Sequence, residues 1–193
     1  MLVDPYNFTN YNRTDRELEA MLLFSIAVAG KTAYIIADKI ERLLSQSHHL
    51  SPFATIEHLI REKRLDECLK ECKMGKYRLL VKAFDYLIKS GINLRTCTVE
   101  ELEVIPGVGS KTARMFLLHS RKNQRVAVLD THILKFLKTL GHDIPRTTPT
   151  GKKYHELEKI FIDYADKQKH SIADLDLLIW KKYAKKRNST ISL

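Results

Sequence analysis

Apolar residues recur along most of this chain every three or four positions, and alternating runs are few, so the pattern predicts helices packed on a common interior. Thr14-Asp15-Arg16-Glu17 has the form of a capping box and predicts a helix that ends near Gly30. A second helix is predicted from about Thr32 to Leu44, and Ser51-Pro52 opens a third with proline at the first helical position. Between Lys76 and Ser90, the side chains of Leu79, Leu80, Ala83, Phe84, Leu87 and Ile88 share one face, and Gly91 closes that helix. Thr98-Val99-Glu100-Glu101 is a second capping box. Ser110 stands where it can cap the next helix, which runs to about Ser120. After the polar break Arg121-Lys122-Asn123-Gln124, the apolar run Val126-Ala127-Val128-Leu129 is too short to assign. Asp130 or Thr131 then starts a helix to Leu140, stopped by Gly141. Helices follow over about Gly151 to Lys167 and Ile172 to Tyr183. Lys185 to Leu193 has no apolar face and is expected to be disordered, at least in part. The fold class expected is all-α, with no internal repeat.

Composition narrows the partners. A chain of 193 residues with 44% hydrophobic residues and 8% aromatics suits one large helical domain or two small ones. Lys+Arg number 33 against 23 Asp+Glu, and the resulting charge of +10 favours a polyanionic partner. Cys68, Cys72 and Cys97 are too few for a disulfide framework and odd in number, which fits reduced thiols in an intracellular protein. No apolar stretch reaches membrane-spanning length, and Asp4, Pro5 and Asn7 stand where a signal peptide would be basic and then apolar. The expectation is a soluble, intracellular monomer with no membrane partner.

The most informative segment is Val104-Ile105-Pro106-Gly107-Val108-Gly109-Ser110-Lys111-Thr112-Ala113. Pro106 stops the first short helix, and Gly107 and Gly109 allow backbone angles and close approach that a side chain would block. The first amides of the following helix lack intrahelical partners, so those of Gly109, Ser110 and Lys111 can face a phosphate. Leu102, Ile105, Val108, Ala113, Phe116 and Leu117 form an apolar frame around this corner. Lys111 sits in the first turn, where the helix dipole disfavours a cation and favours the neutral amine. By position alone it is either a phosphate contact or a nucleophile of lowered pKa. Asp130 follows the apolar run and serves equally as a helix N-cap or as a reactive carboxylate; capping would also fix its position.

The run Ile105 to Ala113, followed by Val128-Leu129-Asp130-Thr131-His132-Ile133, resembles the helix-hairpin-helix DNA glycosylases, which include endonuclease III and the 8-oxoguanine DNA glycosylases. The strong match covers roughly Val99 to Leu140. The resemblance implies two helical subdomains with a DNA-binding cleft between them: residues 1–29 with 121–193 in one, and residues 30–120, carrying the hairpin, in the other. It implies Lys111 as the catalytic lysine and Asp130 as the catalytic aspartate. DNA contacts would fall at Gly107, Val108, Gly109, Ser110 and Thr112, with Lys31 or Thr32 entering the gap left by a flipped nucleotide, unless that junction is an ordinary helix end. The implied partner is double-stranded DNA with a damaged base. A neutral lysine would attack the sugar carbon, displace the base and leave a Schiff base that β-elimination converts to a nick. Asp130 would stabilise positive charge on the sugar or help deprotonate Lys111.

Several features bound this reading. No cysteine follows Cys97, so the iron–sulfur cluster of endonuclease III-type enzymes is excluded by count, and neither a metal nor an organic cofactor is expected. The cluster-free form looks more like the compact 8-oxoguanine glycosylases, and Asp174-Leu175-Asp176-Leu177-Leu178-Ile179-Trp180 resembles the helix near their C-terminus. Trp180 serves either the core or the pocket. Ala29-Gly30-Lys31-Thr32 is no nucleotide-binding loop, because Ser25 stands where the first glycine is required. Lys181, Lys182, Lys185, Lys186 and Arg187 form a basic cluster, and His48-His49 and Lys152-Lys153 read as surface residues. The function expected is a bifunctional glycosylase/AP lyase acting on an oxidised base, most of all 8-oxoguanine. The alternatives are an oxidised-pyrimidine glycosylase and a non-catalytic DNA-binding module.

Overall fold

The computed structural model describes residues 2–47 and 50–188, residues 184–188 by backbone alone. Residues 1, 48, 49 and 189–193 lie outside the described residues, so the surface reading of His48-His49 and the last part of the tail expected to be disordered fall there. Ten α-helices follow in order: α1 (Asp15–Ala27), α2 (Ala33–Leu44), α3 (Pro52–Arg61), α4 (Leu65–Glu71), α5 (Tyr77–Ser90), α6 (Val99–Glu103), α7 (Ser110–Ser120), α8 (Thr131–Thr139), α9 (Gly151–Lys167) and α10 (Ile172–Asn188). There is no strand among the described residues. No helix among them is long and apolar enough to cross a membrane.

Both capping boxes form. Thr14 accepts from the Glu17 amide and Thr98 from the Glu101 amide, each glutamate reaching back to the cap. Ser51 caps α3 ahead of Pro52. Three expectations need correction. Gly109, not Ser110, is the N-cap of α7, because the chain is still extended at Gly109 and Ser110 is already helical. Leu79 stands partly in solvent beneath the hairpin, while Leu80, Ala83, Phe84 and Leu87 face the core. Finally, α10 continues to Asn188 rather than stopping at Tyr183.

Two buried apolar clusters divide the chain between Leu117 and Leu118. The first runs from Val3 to Leu117 and is built on α1, whose residues Ala20 to Phe24 are all buried. The second joins Leu118 and the segment Ala127–Leu129 to α8, α9 and α10. Helix α7 therefore belongs to both. The N-terminal segment contributes Val3 and Phe8 to the first cluster, and its Tyr6 ring stands edge-on to Trp180 of α10 at 5.5 Å.

Candidate active site

The corner between α6 and α7 is a hairpin whose parts have distinct reasons. Val108 donates to the Ile105 carbonyl at 2.9 Å, and the apolar frame from Leu102 to Leu117 is buried throughout. Gly107 has φ +82, and a Cβ there would stand 2.7 Å from Cδ1 of Leu79. Gly109 is different: its φ is −110, and a Cβ would meet nothing within 4 Å. The chain itself therefore makes no demand for glycine at 109. No side chain caps α7, so its leading amides stay open to an outside acceptor. The side chains of Val108 and Thr112 are buried, and the Thr112 amide is already bonded to the Gly109 carbonyl at 2.9 Å.

Lys111 stands half-buried in the first turn of α7, with its amine enclosed by protein. Burial of its amine holds the pKa below the ordinary lysine range, while the charges of Asp130 and then Asp176 pull it the other way, without a hydrogen bond to either. An amine so placed is more easily neutral than a surface lysine and keeps its lone pair free.

Asp130 is the N-cap of α8. Its Oδ1 accepts from the amides of His132 at 2.8 Å and Ile133 at 2.9 Å, so the cap expected from the sequence forms and fixes the carboxylate in place. The apolar run before it is a buried strap with no ladder partner, fastened by side chains. Tyr154 on α9 donates to the Ala127 carbonyl at 2.8 Å and accepts from the Leu129 amide at 3.2 Å. Glu158, also on α9, accepts from the Ala127 amide at 2.9 Å and from Nε of Arg114 on α7 at 2.7 Å. Arg114 reaches Glu103 as well, at 3.1 Å, and packs over the Tyr154 ring. The strap that delivers Asp130 is thus tied to the helix that carries Lys111.

Asp176 on α10 is the site residue that sequence reasoning missed. It is buried, and its Oδ2 takes a bond from Nε2 of His119 at 3.1 Å. The other nitrogen of that ring meets Oγ1 of Thr9 at 2.8 Å. The remaining oxygen, Oδ1, is buried without a partner. Burial raises the carboxyl's pKa, His119 opposes this, Asp130 adds to it and Lys111 opposes it. The sequence did hold a signal. Asp176 lies four residues after Ile172 and three before Ile179, both buried, so it interrupts the apolar stripe of its helix. His119 interrupts the buried face of α7 in the same way, three residues after Phe116.

The other residues of interest sit apart from this centre. Nζ of Lys31 donates to the Met74 carbonyl at 2.6 Å, and Lys76 donates to the Ala29 carbonyl at 2.9 Å, which stitches the α1–α2 junction to the turn before α5. Thr32 is exposed at the N-cap of α2 and makes no side-chain capping bond. Cys68, Cys72 and Cys97 are free and buried, and burial pushes each thiol's pKa up. No group of three metal-ligating side chains occurs among the described residues.

The profile of a helix-hairpin-helix family described as 8-oxoguanine DNA glycosylase matches residues 2–170. A protein of Fusobacterium nucleatum, named 8-oxoguanine DNA glycosylase/AP lyase, is 30% identical over 118 residues, which are 60% of this chain and 52% of that protein. A Methanocaldococcus jannaschii protein of the same name is 30% identical over 113 residues, 56% of this chain and 54% of that one. The chain spans about half the length of the curated relatives it matches. Among solved structures, the Methanocaldococcus jannaschii 8-oxoguanine glycosylase/lyase in complex with 15mer DNA containing 8-oxoguanine is similar with a TM-score of 0.62 and 25% identity, over 91% of this chain and 85% of that one. Since the profile match begins in the N-terminal segment and reaches past α9, the chain belongs to the helix-hairpin-helix 8-oxoguanine DNA glycosylase family.

Proposed function

We propose that this protein is a bifunctional DNA glycosylase and AP lyase that acts as a monomer on double-stranded DNA and excises an oxidised base, 8-oxoguanine first among them. The observation that carries the reading is the buried amine of Lys111, set in the open first turn of the hairpin helix and acted on by two carboxylates. A neutral amine there attacks C1′ of an extruded nucleotide and displaces the base. The resulting imine acidifies the adjacent C–H, and β-elimination cuts the strand. Asp130, capped in place, faces the positive charge that develops on the sugar.

At the hairpin, the duplex is held by backbone more than by side chains. The open amides of Gly109, Ser110 and Lys111 take a phosphate, and Gly107 shapes the turn. Val108 and Thr112 act as its packed supports, given their burial. At the α1–α2 junction, Thr32 rather than Lys31 is the free side chain that can enter the stack, because Lys31 is committed to the Met74 carbonyl.

Borohydride trapping on duplexes with 8-oxoguanine, thymine glycol or an abasic site tests the reading. Wild type should give a covalent adduct that Lys111→Gln abolishes while still binding the duplex. Preference for thymine glycol would move the assignment to oxidised pyrimidines. Absence of an adduct on all three substrates would leave a binding module.

A further inference from the structure

Two carboxylates act on one lysine, and their surroundings differ. Asp130 is held through one oxygen: its Oδ1 accepts two amides at the start of α8, and the residue is only half-buried. Asp176 is enclosed instead. One oxygen is anchored by His119, which is itself oriented by Thr9, and the other is buried with nothing bonded to it. A buried, unbonded carboxylate oxygen is costly unless something arrives to use it. Both ring nitrogens are engaged, Nδ1 with Thr9 and Nε2 with Oδ2 of Asp176, so neither reaches Oδ1.

We propose that Asp176, not Asp130, takes the proton that Lys111 must lose when its nitrogen bonds to the sugar carbon. This rests on the lysine mechanism proposed above. In that step the lone pair of Nζ forms a bond to C1′, and the bond from C1′ to the base breaks, the pair leaving with the base, which water protonates. Nζ then carries two hydrogens and a positive charge. One proton passes to Oδ1 of Asp176, giving a neutral carboxyl. When C1′–O4′ breaks and the iminium forms, that proton goes to O4′, and Asp176 is ionised again. Asp130 keeps its two cap bonds and takes no part in this transfer. The elevated basicity of the Asp176 carboxyl, raised by burial, suits a group that must hold a proton between two steps. The charges that act on it are His119 and Lys111 from α7 and Asp130 from the start of α8; Tyr154 on α9, raised by its own burial, is the remaining titratable neighbour.

The test is the pH dependence of single-turnover base release and of borohydride trapping on an 8-oxoguanine duplex, with binding of the uncleaved duplex measured separately. Asp176→Asn should bind as wild type does and release base roughly a hundredfold more slowly at neutral pH. Its deficit should shrink as pH rises, because solvent then takes the proton. Asp130→Asn should be slow at every pH. His119→Leu keeps the carboxylate but removes its N–H donor, so the acid limb of the profile should move to higher pH. Wild-type rates in Asp176→Asn, a loss that is equal at all pH values, or an unmoved limb in His119→Leu each overturn the proposal. A wild-type protein that never forms an adduct removes the lysine mechanism itself, a failure distinguishable from these.

Discussion

At the scale of single residues, the hairpin's two glycines separate folding from binding. Gly107 occupies a left-handed backbone conformation above Leu79, so Gly107→Ala should cost about 1–2 kcal/mol, a fall in Tm of several degrees. Gly109 has an ordinary extended φ and open space before it. Gly109→Ala should therefore melt with wild type and lose duplex affinity, a pair of results that calorimetry and fluorescence anisotropy can check. Lys111 makes the reverse trade. Its pKa is lowered on folding, so between the folded and ordinary lysine values the unfolded chain holds the extra proton, and stability rises with pH across that window. At neutral pH the buried amine is a burden. Lys111→Met should raise Tm by a few degrees there, about 1 kcal/mol, and the gain should fade as pH approaches about 10.5. Thermal melts between pH 6 and 10 decide it.

At the scale of elements, what could be read from sequence was whatever is local. Thr14 and Thr98 announce helix starts because a capping box is complete within four residues. The strap Val126–Leu129 could not be assigned, because its backbone groups are satisfied by Tyr154 and Glu158, more than two dozen residues later. Lys111 and Asp130 were singled out by their motif, whereas Asp176 showed only as a break in an apolar stripe; its approach to α7 depends on α10 folding back, which no local pattern encodes. The cap on α8 gives a clean separation of roles. Asparagine caps a helix about as well as aspartate, so Asp130→Asn should melt with wild type yet lose base release; Asp130→Ala should lose both, with about 1 kcal/mol of stability gone with the cap. Circular-dichroism melts beside single-turnover kinetics show which element effect is which.

At the scale of the whole molecule, the charge of +10 is a statement about salt. If the protein neutralises about four phosphates, raising salt from 50 to 200 mM should weaken duplex binding about a hundredfold, with little difference between lesion and undamaged DNA in slope. A flat salt response in anisotropy would contradict phosphate-led binding. The second consequence lies in Arg114. It stands one turn beyond Lys111 on α7 and grips Glu158, which pins the Ala127 amide just ahead of Asp130. On the proposed mechanism, the amine of Lys111 and the capping carboxylate of Asp130 are consequently cast in one block before any duplex arrives, and DNA has only to bring its sugar to them. A small molecule wedged between α7 and α9 would pull that casting apart, and so could disarm the protein without resembling a nucleic acid at all.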